Sequence, residues 1–132
     1  MYTHKILVVD DEATVARTLS VILQLDGYEV STASSAKQAL EMLKTERYHV
    51  LTTDMNMPEM DGKELLSEAQ NAHPLTKRIL ISGLSGLHKE VDDLKSTGLI
   101  HEFIAKPFNR DVLLNATARL LANDEPFPHS RH

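Results

Sequence analysis

Cysteine is absent from the 132 residues, which excludes a disulfide scaffold and thiolate chemistry and fits a reducing compartment. No run of about 18 apolar residues is available to cross a bilayer. The opening MYTHKILVVDDE turns acidic too soon for a secretory signal. Basic charge is scarce as well: 14 Lys and Arg against 19 Asp and Glu give a net charge of -5, so no basic face is expected to meet nucleic acid. The seven histidines, at 4, 49, 73, 88, 101, 129 and 132, include no helical i, i+4 pair, and they read as solvated surface residues rather than metal ligands. What remains, 42% hydrophobic and 25% charged, suits one cytoplasmic domain over residues 1–122 with a frayed, flexible tail over 123–132.

Short apolar runs alternate with helical patterns. Lys5 to Val9 (KILVV) is a continuous apolar run of the kind that is covered on both faces. Helical spacing follows at Val15, Leu19, Ile22 and Leu23, with Gly27 as the stop. Tyr28 to Ala33 is the second strand. Ser34 or Ser35 caps a helix through Ala36, Ala39, Leu40 and Leu43. His49 to Thr53 is the third strand, Gly62 to Ala72 a helix, and Arg78 to Ser82 the fourth strand. A helix over Leu87 to Thr97 ends at Gly98, Leu99 to Ala105 forms the fifth strand, and Asn109 caps a last helix through Val112 to Leu121. Five strands alternating with five helices imply an α/β, doubly wound parallel sheet with the flavodoxin-like strand order 2-1-3-4-5.

That order brings polar residues together at the carboxyl ends of the strands, where open α/β sheets bind ligands. Asp10 and Asp11 follow strand 1, Asp54 follows strand 3, Ser82 ends strand 4 and Lys106 follows strand 5. Each has a plainer reading: an acidic helix cap, a turn acid, a turn hydroxyl, a loop lysine. Their joint occurrence is what points to a site. Lys106 starts about 10 Å from Asp54, a gap that its stem can largely cross. Three converging carboxylates repel, at about 4 kcal/mol per pair for 4 Å and an effective dielectric near 20. Relief comes from protonation of one acid or from a cation, and a purely oxygen donor set favours Mg²⁺. Beside a lysine and a hydroxyl, such a site suits phosphoryl transfer, with Asp54 as nucleophile, the metal and Lys106 neutralising phosphoryl oxygens, and Ser82 donating to them.

The motifs ILVVDDE (Ile6 to Glu12), D-x-x-M-P-x-M-D-G (Asp54 to Gly62), Ser82-Gly83 and FIAKPF (Phe103 to Phe108) resemble the receiver domain of bacterial two-component response regulators, from about Lys5 to Leu121. The resemblance implies that Asp54 is a phosphoacceptor served by a sensor histidine kinase or a histidine phosphotransfer protein. It implies Mg²⁺, replaceable by Mn²⁺, on Asp11, Asp54 and the Asn56 carbonyl, with Asp10 acting through water. Ser82, Gly83 and Lys106 bind the phosphoryl group, and Phe103 is the switch aromatic. Asn56 and Leu84 tune hydrolysis, the apolar Leu84 standing where many members are polar. Phosphorylation repacks the face formed by the fourth helix, fifth strand and fifth helix toward an output domain, an effector or a homodimer partner, while Ala13 to Thr18 faces the kinase. The pairing of RILISG (Arg78 to Gly83) with Gly98-Leu99-Ile100 is similar to receivers fused to cyclic-dinucleotide phosphodiesterases.

Other classes compete less well. A Mg²⁺-dependent phosphohydrolase with an aspartyl nucleophile usually carries an acid two residues further on, where Asn56 stands, and has a cap segment that this chain lacks. A binding module that works unphosphorylated usually lacks an acid or the lysine. A flavodoxin-type cofactor protein needs a phosphate-cradling loop after strand 1, but that loop is acidic here.

Overall fold

The buried apolar runs become the middle of one parallel sheet. In a computed structural model, which describes residues 2–55, 62–83, 88–122 and 127–128, the strands are β1 (Lys5–Val9), β2 (Glu29–Ala33), β3 (Val50–Thr53), β4 (Lys77–Ser82) and β5 (Glu102–Ala105). They lie in the order β2-β1-β3-β4-β5, as expected. Val9 pairs with Thr53, Thr53 with Leu80, and Ser82 with Ala105. The crossovers are α1 (Ala13–Leu25), α2 (Ala36–Thr45), α3 (Gly62–Ala72) and α4 (His88–Ser96), and α5 (Arg110–Leu121) closes the series. A two-residue antiparallel ladder also joins Tyr2–Thr3 to Phe127–Pro128. No helix among the described residues is long and apolar enough to cross a membrane.

Alternate strand residues face opposite layers, so the three central strands, β1, β3 and β4, are buried on both sides. Ile6, Val8, Val50, Ile79, Ile81 and Ile104 pack with Leu19 and Leu23 of α1 and Leu113 and Ala116 of α5. Leu7, Val9 and Leu51 pack on the other face with Ala39 and Leu43 of α2 and Leu65 of α3. Leu66, Leu80, Leu94, Leu99 and Ile100 continue that layer toward α4. Of the two candidate caps for α2, Ser35 is the one used: its hydroxyl accepts the Gln38 N–H at 3.1 Å, while the Gln38 side-chain oxygen accepts the Ser34 N–H at 2.8 Å. Asn109 caps α5 by accepting the Val112 N–H at 2.9 Å. Gly27 and Gly98 end α1 and α4 with φ of 95° and 78°, in the left-handed region where a Cβ is strained.

Two expectations need correction. Leu99 and Ile100 do not open β5; their N–H groups both donate to the Leu94 carbonyl, at 2.9 and 3.3 Å, and close the end of α4. Pairing with β4 starts only at His101, whose N–H donates to the Arg78 carbonyl at 2.8 Å. Nor are His49 and His101 solvated surface residues. Each precedes a strand and accepts a neighbouring strand's N–H at Nδ1, His49 from Lys5 at 2.9 Å and His101 from Arg78 at 3.0 Å. A strand at the start of a sheet leaves such an N–H without a ladder partner, and an imidazole lone pair satisfies it.

This bond requires a neutral imidazole. Burial, reinforced by the Arg78 and Lys77 charges, holds the His101 pKa below its ordinary 6.5. Because the folded state binds the proton less readily than the unfolded chain, the stability from this bond is complete above about pH 6.5 and declines as pH falls toward the folded pKa. Urea midpoints at about pH 7.5 and 5.5 are therefore expected to fall with acidification, and His101→Gln, which keeps an acceptor but does not titrate, narrows the difference.

Candidate functional site

The site stands on the carboxyl edge of the sheet. Because Val9 pairs with Thr53, the next residues, Asp10 and Asp54, leave adjacent strands side by side. Because Ser82 pairs with Ala105, Lys106 leaves β5 next to the end of β4, and its N–H donates to the Ser82 carbonyl at 2.9 Å. From there the lysine crosses β4 along Gly83, where a Cβ would meet the Lys106 stem at 3.4 Å. Its ammonium arrives 2.8 Å from Asp54 Oδ2 and 3.3 Å from Asp10 Oδ2. The peptide bond between Lys106 and Pro107 is cis.

The expected repulsion between carboxylates is thus met by a cation of the chain itself. The Asp10, Asp54 and Lys106 side chains keep only 3%, 14% and 19% of their exposure. Burial acts to lower the Lys106 pKa, but the hydrogen bond to Asp54 and the charges of Asp10 and Asp54 outweigh it and hold the pKa above its ordinary value. Lys106 is therefore an ammonium at neutral pH. Asp10 is fixed at both oxygens, since Oδ1 accepts the Glu12 N–H at 2.9 Å as α1 begins. Asp11, by contrast, is exposed and is not drawn into this group.

Gly62, which the sequence offers as the start of a helix and the end of the D-x-x-M-P-x-M-D-G motif, also sets the site's backbone. It opens α3, its N–H donates to the Met55 carbonyl at 2.8 Å, and a Cβ there would overlap the Asp54 carbonyl oxygen. That same carbonyl accepts the Thr53 hydroxyl at 3.0 Å. The spacing of eight residues between Asp54 and Gly62 is the signal that carries this contact in the sequence. Phe103 is partly buried against Leu66, Leu80, Leu94, Leu99 and Ile100, together with Met55 and Val91. The residue following Asp54 thereby shares one apolar cluster with α4. A cleft of about 400 Å³ leads from Asp10 along Ala13, Ala16 and Arg17 of α1 and past Thr32 to Ser34. Asn56 and Leu84 lie outside the described residues.

The donors at this edge are carboxylate oxygens, which suit a hard dication such as Mg²⁺. Among the described residues no group of three or more His, Cys, Asp or Glu is already gathered around a metal position. The donor chemistry fits, and Lys106 is the cation that the two acids Asp10 and Asp54 share here.

Comparison with known proteins agrees with this geometry. The model of the response regulator receiver domain matches residues 6–118. The chain is 34% identical to the nitrogen assimilation regulatory protein NtrX of Azorhizobium caulinodans, over 89% of this chain and 26% of that one. The response regulator TrrA of Thermotoga maritima, solved in complex with Mg²⁺ and BeF, superposes with a TM-score of 0.81 at 31% identity, covering 90% of this chain and 100% of that one. The signal receiver domain of an HD domain-containing protein from Pseudomonas fluorescens superposes with a TM-score of 0.84 at 29% identity, covering 91% and 95%. The chain spans about a quarter of the length of the curated relatives it matches first. With the family model covering most of the chain and the strand order and site edge in place, this protein belongs to the response regulator receiver domains.

Proposed function

We propose that this domain is the phosphoacceptor of a cytoplasmic two-component pathway, in which Asp54 takes a phosphoryl group from a sensor histidine kinase or histidine phosphotransfer protein. The observation that carries the reading is the Lys106 ammonium held between Asp54 and Asp10 at the ends of β3 and β1. In the reaction an Asp54 carboxylate oxygen bonds to phosphorus as the bond from phosphorus to the donor's histidine nitrogen breaks; the electron pair returns to that nitrogen, which takes a proton from water, leaving an acyl phosphate and a neutral histidine. Lys106 then exchanges the Asp54 carboxylate for a phosphoryl oxygen, a short move for an ammonium already 2.8 Å away. Ser82, buried at the end of β4, donates its hydroxyl to a second oxygen. Asp11, Asp54 and the Asn56 carbonyl would hold Mg²⁺ or Mn²⁺, with Asp10 acting through water, and the metal would neutralise the charge that phosphate brings. The Mg²⁺ complex of the similar TrrA protein supports this assignment.

The domain acts on its own aspartate rather than turning over a substrate. Phosphorylation biases two arrangements of the face built by α4, β5 and α5, with Ser82 and Phe103 as the responding side chains. The cluster that joins Met55, Phe103, Val91 and Leu94 supports that route, since it links the neighbour of Asp54 to α4. The face serves an output domain, an effector protein or a second copy of the domain. Asn56, two residues past the acceptor, and Leu84 set the phosphate lifetime, and the α1 side around Ala13 to Thr18 receives the kinase.

Intact mass after incubation with a small phosphodonor is expected to rise by one phosphoryl group, about 80 Da, in Mg²⁺ but not in EDTA. Asp54→Ala abolishes the gain. If wild type and Asp54→Ala gain equally, another group is the acceptor.

Replacing Lys106 tests the charge logic separately. Lys106→Met leaves two carboxylates facing each other, and a loss of about 1–2 kcal/mol is expected, discounted for the partial exposure of the site. Mg²⁺ at about 10 mM then raises the melting temperature of Lys106→Met by more than that of wild type, because the dication replaces the missing ammonium. Equal shifts in both proteins would contradict a metal position at Asp54.

A further inference from the structure

At the other end of β4 from Ser82, a buried cation holds the far end of α4. Arg78 is 3% exposed, and its guanidinium donates to three backbone carbonyls: Nε to Leu99 at 2.9 Å, Nη2 to Gly98 at 2.9 Å and Nη1 to Thr76 at 2.8 Å. No carboxylate pairs with it among the described residues. Its main chain is tied to the same turn, through the His101 N–H to the Arg78 carbonyl and the Arg78 N–H to His101 Nδ1. Gln70 of α3 adds a donor from the side, to the Thr97 carbonyl at 3.3 Å. The carbonyls of Thr97, Gly98 and Leu99, at the negative end of α4, are thus all taken by side chains from β4 and α3.

A helix end needs its carbonyls satisfied, but neutral donors do that, as Gln70 does here. Burying a guanidinium without a counter-ion is a costly way to meet the same need. What the guanidinium adds is geometry: a rigid fork that binds three carbonyls from two turns at once. The rest of α4 is held much more loosely. Its sequence HKEVDDLKS contains two apolar residues, Val91 and Leu94, and both lie in the cluster with Met55 and Phe103. An apolar seam of that size can slide, whereas the two directed hydrogen bonds from Arg78 to Gly98 and Leu99, braced by the third to Thr76, cannot.

We infer that Arg78 is the positioning residue about which α4 pivots. On the reading of Asp54 as phosphoacceptor, a rearrangement at Ser82 and Phe103 moves the N-terminal part of α4 through Met55, Val91 and Leu94. The Arg78 fork holds Gly98 and Leu99 in place, with Gln70 on Thr97. The response is then a tilt of α4 on the output face rather than a release of the whole helix.

Amide hydrogen exchange of α4 and the 97–101 turn, with and without beryllofluoride and Mg²⁺, tests this alongside phosphoryl uptake measured by intact mass. In wild type the effect of beryllofluoride is expected within α4, while amides 97–101 stay protected in both states. In Arg78→Met, phosphoryl uptake stays within about twofold of wild type, amides 97–101 exchange about tenfold faster, and α4 no longer distinguishes the two states. Arg78→Lys, which keeps the charge but not the fork, behaves like Arg78→Met. Gln70→Ala lies between and needs no buried charge to be removed, so it carries the test if Arg78→Met does not fold. The pivot is overturned if the Arg78 variants keep the α4 difference, or if wild type loses protection at 97–101 on binding beryllofluoride. A wild type that neither takes up phosphate nor responds to beryllofluoride instead refutes the phosphoacceptor reading, a separate result from variants that respond as wild type does.

Discussion

The Lys106 ammonium between Asp54 and Asp10 is the contact on which the other features of the site depend. Two carboxylates at neighbouring strand ends repel by about 4 kcal/mol at 4 Å and an effective dielectric near 20, and removal from water makes each more costly still. A lysine reaching in from β5, two strands away from β3, meets that cost only if several local choices agree. The strand order has to set β5 beyond β4. Gly83 has to leave room beside the lysine stem, and Gly62 has to let α3 start against the Asp54 backbone. The same ion pair fixes a cation beside Asp54 at the carboxyl edge of the sheet.

The two edges of the sheet solve opposite problems. At the carboxyl edge, charges gather where a ligand can use them. At the amino edge, the same types of group are spent on backbone: His49 and His101 accept strand N–H groups, and Arg78 donates to the carbonyls that end α4. Lys5 sits there too, its ammonium 3.1 Å from Glu46 and 3.7 Å from Glu29. β4 spans both edges, from the Arg78 fork to Ser82.

The fold was legible because strands buried on both faces are continuous apolar runs, and because glycine and capping residues mark the helix ends. Lys5 to Val9 as a strand, Gly62 to Ala72 as a helix and Asn109 as a cap all follow from such local rules. The convergence of Asp10, Asp54, Ser82 and Lys106 was legible once the strand order was set. What depended on tertiary contacts was not. Leu99 and Ile100 look like strand until the Leu94 carbonyl is seen to take both their N–H groups. Nothing local marks a histidine as a partner for the next strand, or an arginine inside an apolar run as a clamp. Asp11 reads as an equal of Asp10, but its place beyond the turn leaves it facing water.

As the proposed phosphoacceptor, Asp54 must carry the acyl phosphate in place of its neighbours Asp10 and Asp11. Borohydride reduction of the phosphorylated domain converts an acyl-phosphorylated aspartate to homoserine, and peptide mass spectrometry then locates it. Homoserine is expected at position 54 alone, and only when Mg²⁺ is present. Homoserine at position 10 or 11, or at none of the three, would contradict it.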